Sequence, residues 1–558
     1  MYITAVRRRG VLTRGVSWFH VPGAVAYVGV LAAEFSAIAA QLRFNSDVAG
    51  PVLLGNALAH GTLGRPIGLD QPAYMWAFAA TSVLGHQQIV LALLPLLVSW
   101  IGLAAIIVAV ARVAGRWPAS LALALGVAAP PLVLLTEMAP AFHGLTWCFT
   151  GLLGLFALGA ARHHPSGRWL VVCLVVGIGA GAAAATDILL IVTGLAPLVV
   201  VALWLRYGPA RLAAPLVSVV VLGASAGVAF VAVHLLLDVA GYSAGLGGLA
   251  ERGALSSVGS HAQVVARGLL DLTDGLSTSD SSSSWLTVVP ALGALTIVLL
   301  GVASLALRVL RHPAAVGGDD GDGSSSRSQT HLVYWLTSGL LTILLLLVSN
   351  VITPEAEQMT PAGRLISAER FLPAVFFAAV ALLPLWPRRP RTRVLAAVLA
   401  GVFVVASGAR MAAATTDTNF QPDASHALPT LQTALLAHGL TRGYASYWVA
   451  LPLQLSSDGA LDVLPAAEGT TQCGGPSPDV ICRDLLSTEG GWYTPHAGRS
   501  FVVVDPTDPF LDAPPPAALG SPMQTFSVGR FSVYVYAHDV LSSFASTCAG
   551  RVDHLCNP

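Results

Sequence analysis

Long apolar runs alternate with short arginine-bearing loops over the first three quarters of the chain. The first run reaches from about Phe19 to Leu42. Ten more cover roughly 87–111, 118–136, 143–161, 169–186, 188–206, 212–237, 286–307, 331–352, 371–386 and 394–411. Several exceed the roughly 18–20 residues that a helix needs to cross a bilayer. The first run follows Arg7, Arg8, Arg9 and Arg14 as a signal peptide would, but it is too long for one and more spans follow. It therefore predicts an uncleaved first helix. The pattern as a whole predicts a mainly α, polytopic bundle over 1–411 with about eleven spans.

The period changes after Met411. No further span follows, and 412–558 read as one soluble domain of ordinary size. "FVVVD" (501–505) and "RFSVYVYAHD" (530–539) have strand character. "ALPTLQTALLAHGL" (427–440) predicts a helix closed by Gly439. A small α/β or α+β fold is expected there.

Composition agrees with the spans. The chain is 55% hydrophobic and 10% charged, with a mean hydropathy of +0.71, where soluble domains carry roughly a quarter charged residues. The net charge is zero, and all 29 basic residues are arginine. Without a basic excess there is no electrostatic footprint for nucleic acid. Seventeen of the 29 arginines fall in short loops on the side of the N-terminus, from Arg7 to Arg393. The positive-inside rule then places the N-terminus in the cytoplasm and the tail outside a cell membrane. Cysteine usage agrees. Cys148 and Cys173 lie in apolar runs, whereas Cys473, Cys482, Cys548 and Cys556 all fall in the tail. Four cysteines in one domain suggest two disulfides in an oxidising compartment. Neighbour pairing is the simplest of three connectivities, and neither spacing is of the CxxC type that zinc favours.

Three loops stand out. The first outer loop, 43–86, is long. The outer loop 238–285 ends in "STSDSSSSW" and reads as flexible. The inner loop 317–329, "GGDDGDGSSSRSQ", reads as a disordered linker, since it lacks the distal glutamate of a calcium loop.

Ionisable groups at or in the membrane are costly and mark candidate sites. Glu34 lies inside the first run. Asp47, Glu137, His143, Asp187 and Asp238 all fall at outer helix ends, while the inner carboxylates near the spans are confined to the linker. Each has a plainer reading. Asp47 and Asp187 both suit helix caps, Glu137 and Asp238 suit solvated helix ends, Glu34 suits a structural pair, and His143 suits packing. Arg364, Glu369 and Arg370 precede the run at 371–386. Arginine there snorkels to headgroups or clamps a phosphate.

The long first outer loop opening on an aspartate, the acidic turn "LLTEMAPAFHG", "AAATDILL" (183–190) and "RFLP" (370–373) together resemble the GT-C membrane glycosyltransferases. These include protein O-mannosyltransferases, aminoarabinose transferases and actinobacterial mannosyl- and arabinosyltransferases. The tail stretch "LTRGYASYWVALPLQLSSDG" (440–459) resembles the soluble domain of a related group. The chain departs from O-mannosyltransferases in one respect: Asp47 is followed by Val48 and not by glutamate.

The resemblance implies inverting transfer of a sugar from a polyprenyl-phosphate donor to an acceptor (cell-envelope glycan, lipid or protein) at the outer face. It implies Asp47 as general base and Arg370 as phosphate clamp. Arg364, Glu369, Glu137, His143 and Asp187 would help to hold donor, acceptor or metal. Tyr444, Tyr447 and Trp448 in "YASYW" supply aromatic faces for an acceptor sugar. A divalent cation (Mg or Mn) is left open, since the class contains metal-dependent and metal-independent members. The rival readings are a transporter, in which Glu34 and other ionisable groups form a relay, and a non-catalytic scaffold. No internal repeat supports a transporter, and the carboxylates favour one face over a through-path.

Overall fold

The computed structural model describes residues 22, 24–33, 46–64, 66–67, 72–82, 87–129, 131–138, 143–161, 166–207, 214–239, 258–274, 324–349, 371–385, 390–416, 424–468, 481–484, 488–508 and 511–544. The predicted span 286–307, Glu34, and the glycine-rich part of the 317–329 loop lie outside the described residues.

A short apolar helix, α1 (Ala24–Ala33), precedes the first outer loop. That loop folds into α2 (Ser46–Ala59), a two-residue strand β1 (Pro66–Ile67) and α3 (Pro72–Ser82). Helices α4 (Gln87–Ala114), α5 (Arg116–Val127), α6 (Pro131–Met138), α7 (Gly144–Ala160) and α8 (Gly167–Thr186) follow. A π-helical turn (Ile191–Leu195) leads into α9 (Ala196–Tyr207), and then come α10 (Ala214–Val239), α11 (Val258–Asp274), α12 (Ser324–Val348), α13 (Pro373–Leu382) and α14 (Pro390–Thr416). Among the described residues four helices are long and apolar enough to cross a membrane: Leu93–Ala114, Gly167–Thr186, Pro215–Val239 and Arg327–Val348. The expected count of eleven is not confirmed among the described residues. One reason is local. The predicted span 118–136 is two helices, because the "PP" at 130–131 lacks backbone donors and disfavours helical geometry at Ala129.

Two loop expectations are corrected for their described parts, 258–274 and 324–329. The loop 238–285, expected on the outer side, contains α11, whose Val264 and Val265 are buried and whose His261 Nδ1 lies 3.2 Å from Leu347 O. The segment 317–329, expected as an inner linker, is helical from Ser324 on.

The bundle packs through small residues. Gly102 of α4 and Gly151 of α7 face each other so closely that a Cβ on either would meet the other helix's backbone. Gly177 and Gly181 of α8 meet the backbone of α10 at Leu222 and Ala226 in the same way. Such small-residue stripes let apolar helices approach where lipid removes the usual hydrophobic drive. A polar network also crosses the bundle: Thr150 pairs with Thr193 at 2.9 Å, Ser338 donates to Thr193 O at 2.7 Å, and Tyr334 donates to Thr150 O at 2.8 Å. It satisfies the carbonyl that the π-turn offers.

The tail begins with α15 (Ala424–Ala437), closed by Gly439 at φ +65. Strand β2 (Arg442–Ala445), helix α16 (Tyr447–Ser456) and β3 (Asp462–Glu468) form a parallel unit. Strands β4 (Ile481–Arg483), β5 (Thr488–Glu489), β6 (Ser500–Val504), β7 (Gln524–Val528) and β8 (Phe531–Tyr536) complete the domain. Six strands make one mixed sheet in the order β4-β3-β2-β6-β8-β7, and β2 runs parallel to both neighbours. All five residues of β6 are buried, as a central strand covered on both faces requires. Phe501 and Val503 pack under α15 and α16, and Val502 and Val504 pack on the opposite face. The expected α/β character and both expected strands are present.

Strand β5 leaves this sheet and pairs antiparallel with β1, with Pro66 opposite Glu489 and Ile67 opposite Thr488. Ser46 Oγ, at the start of α2, donates to Tyr447 O at 2.7 Å. The first outer loop and the tail thus lie on the same side of the bundle.

Candidate functional site

The site is built where α7 begins and α8 ends. These two helices run antiparallel, so the start of one and the end of the other meet at a single face. His143 is the residue before α7 and takes a left-handed backbone, φ 75 and ψ 21. That conformation is uncommon for a residue with a side chain and costs roughly 1–3 kcal/mol. It turns the imidazole back toward α8. There Nδ1 donates to Asp187 Oδ2 at 2.7 Å. Thr146, in the first turn of α7, donates to the same oxygen. The backbone N–H of Leu189 donates to Oδ1 at 3.1 Å. Asp187 therefore does cap the turn that follows it, as a plain reading of "TD" expects, and also holds the histidine.

His143 and Asp187 are 5% and 6% exposed, which makes this a buried pair. The carboxylate accepts only, so the Nδ1 proton is fixed toward it and Nε2 is the nitrogen left to act. Nε2 is buried with no hydrogen-bond partner among the described residues. The ring stands 4.8 Å from that of Phe371 and 5.8 Å from that of Trp147, centroid to centroid. Phe371 follows Arg370 directly in the sequence. Tyr74 of α3 reaches in from the first outer loop. Its hydroxyl and Ser99 Oγ sit over Gly144, where a Cβ would lie 3.3 Å from Ser99 Oγ and closer still to the tyrosine. Gly144 is thus required by close approach.

Glu137 occupies the last turn of α6 and is wholly buried. The Trp100 indole approaches it, but among the described residues no bond of standard geometry reaches either carboxylate oxygen. Tyr27 of α1 lies nearby and donates to Ala129 O at 2.8 Å. Asp47 is in the first turn of α2, where a negative charge suits the helix dipole; its side chain lies outside the described residues. So do Arg364, Glu369 and Arg370. Asp238, in the last turn of α10, has no described partner.

Two of the three tail aromatics are buried. Tyr444 is wholly buried and donates to Asp539 Oδ1 at 2.6 Å. Tyr447 is buried against Ala49 and Leu451. Trp448 is half-buried beside it, with ring centroids 5.1 Å apart. The first two rings serve packing and offer no free face to a sugar. Cys482 is buried in β4, and Cys473, Cys548 and Cys556 lie outside the described residues.

Among the described residues no group of three or more His, Cys, Asp and Glu could hold a metal ion. Asp187 already receives three donors, which a cation at that carboxylate would have to displace.

Sequence reasoning found His143 and Asp187 but missed Thr146, Tyr74, Ser99 and Phe371. Thr146 carried a weak signal: a hydroxyl three residues past His143 at the start of an apolar helix. Tyr74 carried none, since only the folding of the first outer loop brings it over α7.

Beyond the site, a groove of about 290 Å³ runs between α8, α9 and α10, lined by Gly181, Ala184, Leu195, Leu222, Ala226 and Phe230. Its α8 wall ends one turn before Asp187.

No protein-family model and no curated protein matches the sequence. Among solved structures the chain is similar to the crystal structure of ArnT from Cupriavidus metallidurans in the apo state, at 13% identity and a TM-score of 0.43, covering 93% of this chain and 98% of that one. The same protein bound to undecaprenyl phosphate matches at 13% identity and a TM-score of 0.35, covering 92% and 98%.

Proposed function

We propose that the chain is a membrane glycosyltransferase of GT-C type, which moves a sugar from a polyprenyl-phosphate donor to an acceptor at the outer face with inversion. The observation that carries this reading is the convergence at one end of the bundle. His143 and Asp187, singled out separately by their place in the sequence, form a buried hydrogen-bonded pair, and Phe371, the neighbour of Arg370, packs on the imidazole.

The chemistry assigns the parts. Asp47 is the general base that takes the acceptor hydroxyl proton as its oxygen attacks the anomeric carbon. The bond to the phosphate breaks on the opposite side, and the phosphate leaves with the electron pair. Arg370 clamps that phosphate, with Arg364 and Glu369 on the same segment. Connectivity supports the grouping. Val52 packs with Tyr74, and Asp47 is five residues earlier on α2, ~7–8 Å along the helix axis. The apolar groove beside α8 suits the prenyl chain, since it is lined by carbon and ends near Asp187. The tail, with two disulfides among Cys473, Cys482, Cys548 and Cys556, belongs to the oxidising side.

The test is transfer of label from polyprenyl-phosphate mannose and polyprenyl-phosphate arabinose into membrane glycan by the full chain in liposomes. Asp47→Asn is expected to lower the rate by about a thousandfold with unchanged thermal unfolding. Wild-type activity in that variant would remove Asp47 from the mechanism.

A further inference from the structure

The first outer loop does not stand alone on the bundle. It is gripped by one strap of the tail, residues 488–496. Strand β5 opens the strap and pairs with β1. The turn Gly490–Tyr493 follows, and its Trp492 touches three groups of side chains. One is the tail core around Tyr444, Leu464 and Tyr493. Another joins Ala49 and Leu53 of α2 to Tyr447 and Leu451 of α16. The last holds Leu54 and Leu58 of α2 and Met75 of α3. One indole thus packs against clusters drawn from the tail and from the two helices of the loop.

The strap that carries it is fixed from the tail side. Arg442 Nη2 donates to Trp492 O at 3.1 Å and Thr494 O at 2.7 Å, while its Nη1 donates to Asp462 Oδ2 at 2.6 Å. The Tyr493 hydroxyl bonds to Pro465 O at 2.8 Å and Asp484 O at 2.6 Å. His496 closes the strap with its N–H and Nδ1 at 3.0 and 2.9 Å from Asp539 Oδ2. Helix α2 is also held by α16, through Ser46 Oγ on Tyr447 O at 2.7 Å and Ala49 against Tyr447 and Leu451, and by the bundle core at Val48. Its mate α3 meets it at Gly55, where a Cβ would lie 2.8 Å from Met75 O. The two helices therefore pack closely as a pair, and Trp492 packs against the side chains that join them.

We infer that Trp492 is a positioning residue through which the tail sets α2 and α3, and with them Asp47 and Tyr74, over the ends of α7 and α8. The catalytic half of this inference rests on the transferase reading above. The clamp itself does not. A large aromatic inserted from a braced strap fixes orientation at low cost in side-chain freedom, and an ångström of misplacement at a reacting group costs about a hundredfold in rate.

The experiment compares wild type, Trp492→Ala and Trp492→Phe as full chains in lipid nanodiscs. Amide hydrogen exchange is read over 46–59 and 72–82, and over β2, β6 and β8. Transfer from the same two donors gives kcat and KM. Trp492→Ala is expected to speed exchange in α2 and α3 by more than about tenfold, while the tail strands stay protected. It is expected to lower kcat by about a hundredfold with donor KM nearly unchanged, and Trp492→Phe should restore both. Unchanged exchange in α2 overturns the clamp. Loss of protection in the tail strands as well makes Trp492 an ordinary core residue, and likewise overturns it. Loosened helices with wild-type kcat overturn the positioning role. If the wild type itself transfers neither sugar, the transferase reading fails with these donors, and the exchange data alone decide the clamp.

Discussion

Asp187 and His143 are 44 positions apart and meet at 2.7 Å. The distance along the chain is the length of a helical hairpin: α7 descends from His143, α8 returns to Asp187, and antiparallel packing closes the ends on each other. Asp187→Asn keeps the shape and removes the charge. Hydrogen bonds to a charged group are stronger than neutral ones by about 1 kcal/mol each, so the loss of charge under three donors should cost ~3 kcal/mol, and transfer should fall with it. Thr146→Val removes one donor of three and should cost ~1 kcal/mol. Thermal unfolding of the two purified variants gives the ranking. Equal melting of Asp187→Asn and wild type would show that the pair is incidental.

The crossing of α4 and α7 depends on bare backbone. Gly151→Ala places a Cβ against the Gly102 carbonyl, so the helices must part. A loss of ~2 kcal/mol is expected from such overpacking. Gly223→Ala in α10 makes a control, because nothing lies within 4 Å of its Cβ. There the better helix former should be neutral or gain up to ~1 kcal/mol. Detergent melting curves that rank the two the other way would refute this account of the crossing.

The tail should weaken in acid through Asp539. Burial pushes its carboxyl up, but hydrogen bonds from Tyr444, His496 and Leu541 outweigh that and hold it below its ordinary value. A group whose pKa is lower folded than unfolded adds stability above its unfolded value, about 3.9. That contribution is lost as pH falls through the folded value. Wild type should therefore exceed Asp539→Asn in stability at pH 7, and the gap should close below about pH 4. Near-ultraviolet dichroism of the tail, followed through an acid titration, reads the gap; one of constant size down to pH 2 would contradict the assignment.

The cysteines offer a count. Cys148 and Cys173 are buried and free, and the other four of six are proposed to pair. A maleimide added to the unfolded, unreduced chain should find two thiols. Six would place the tail in a reducing compartment and reverse the proposed orientation.

Much of this was legible from local chemistry. Apolar runs gave the long helices because each buries its backbone by itself. Alternation in "RFSVYVYAHD" gave β8, and Gly439 gave the end of α15. Where the sequence misled, tertiary contacts or proline decided. "PP" at 130–131 split a run that hydropathy joins. Tyr444 and Tyr447 looked like sugar platforms and are packed inside the tail and its contact with α2. A serine-rich loop proved to hold the amphipathic helix α11, whose apolar face is specified only by what covers it.

What the sequence determined by itself was a membrane-suited helical chain with a small α/β tail and a set of polar residues at one set of helix ends. Hydropathy and period act within a dozen or so neighbours, and a sequence carries them openly. What only the tertiary structure decided was which of those polar residues meet. The bond from His143 to Asp187, the reach of Tyr74 over Gly144 and the grip of Trp492 on α2 all join segments remote in the chain. Their geometry follows from glycine-permitted helix approach, a left-handed turn before α7 and strand pairing between β1 and β5, none of which any single segment specifies.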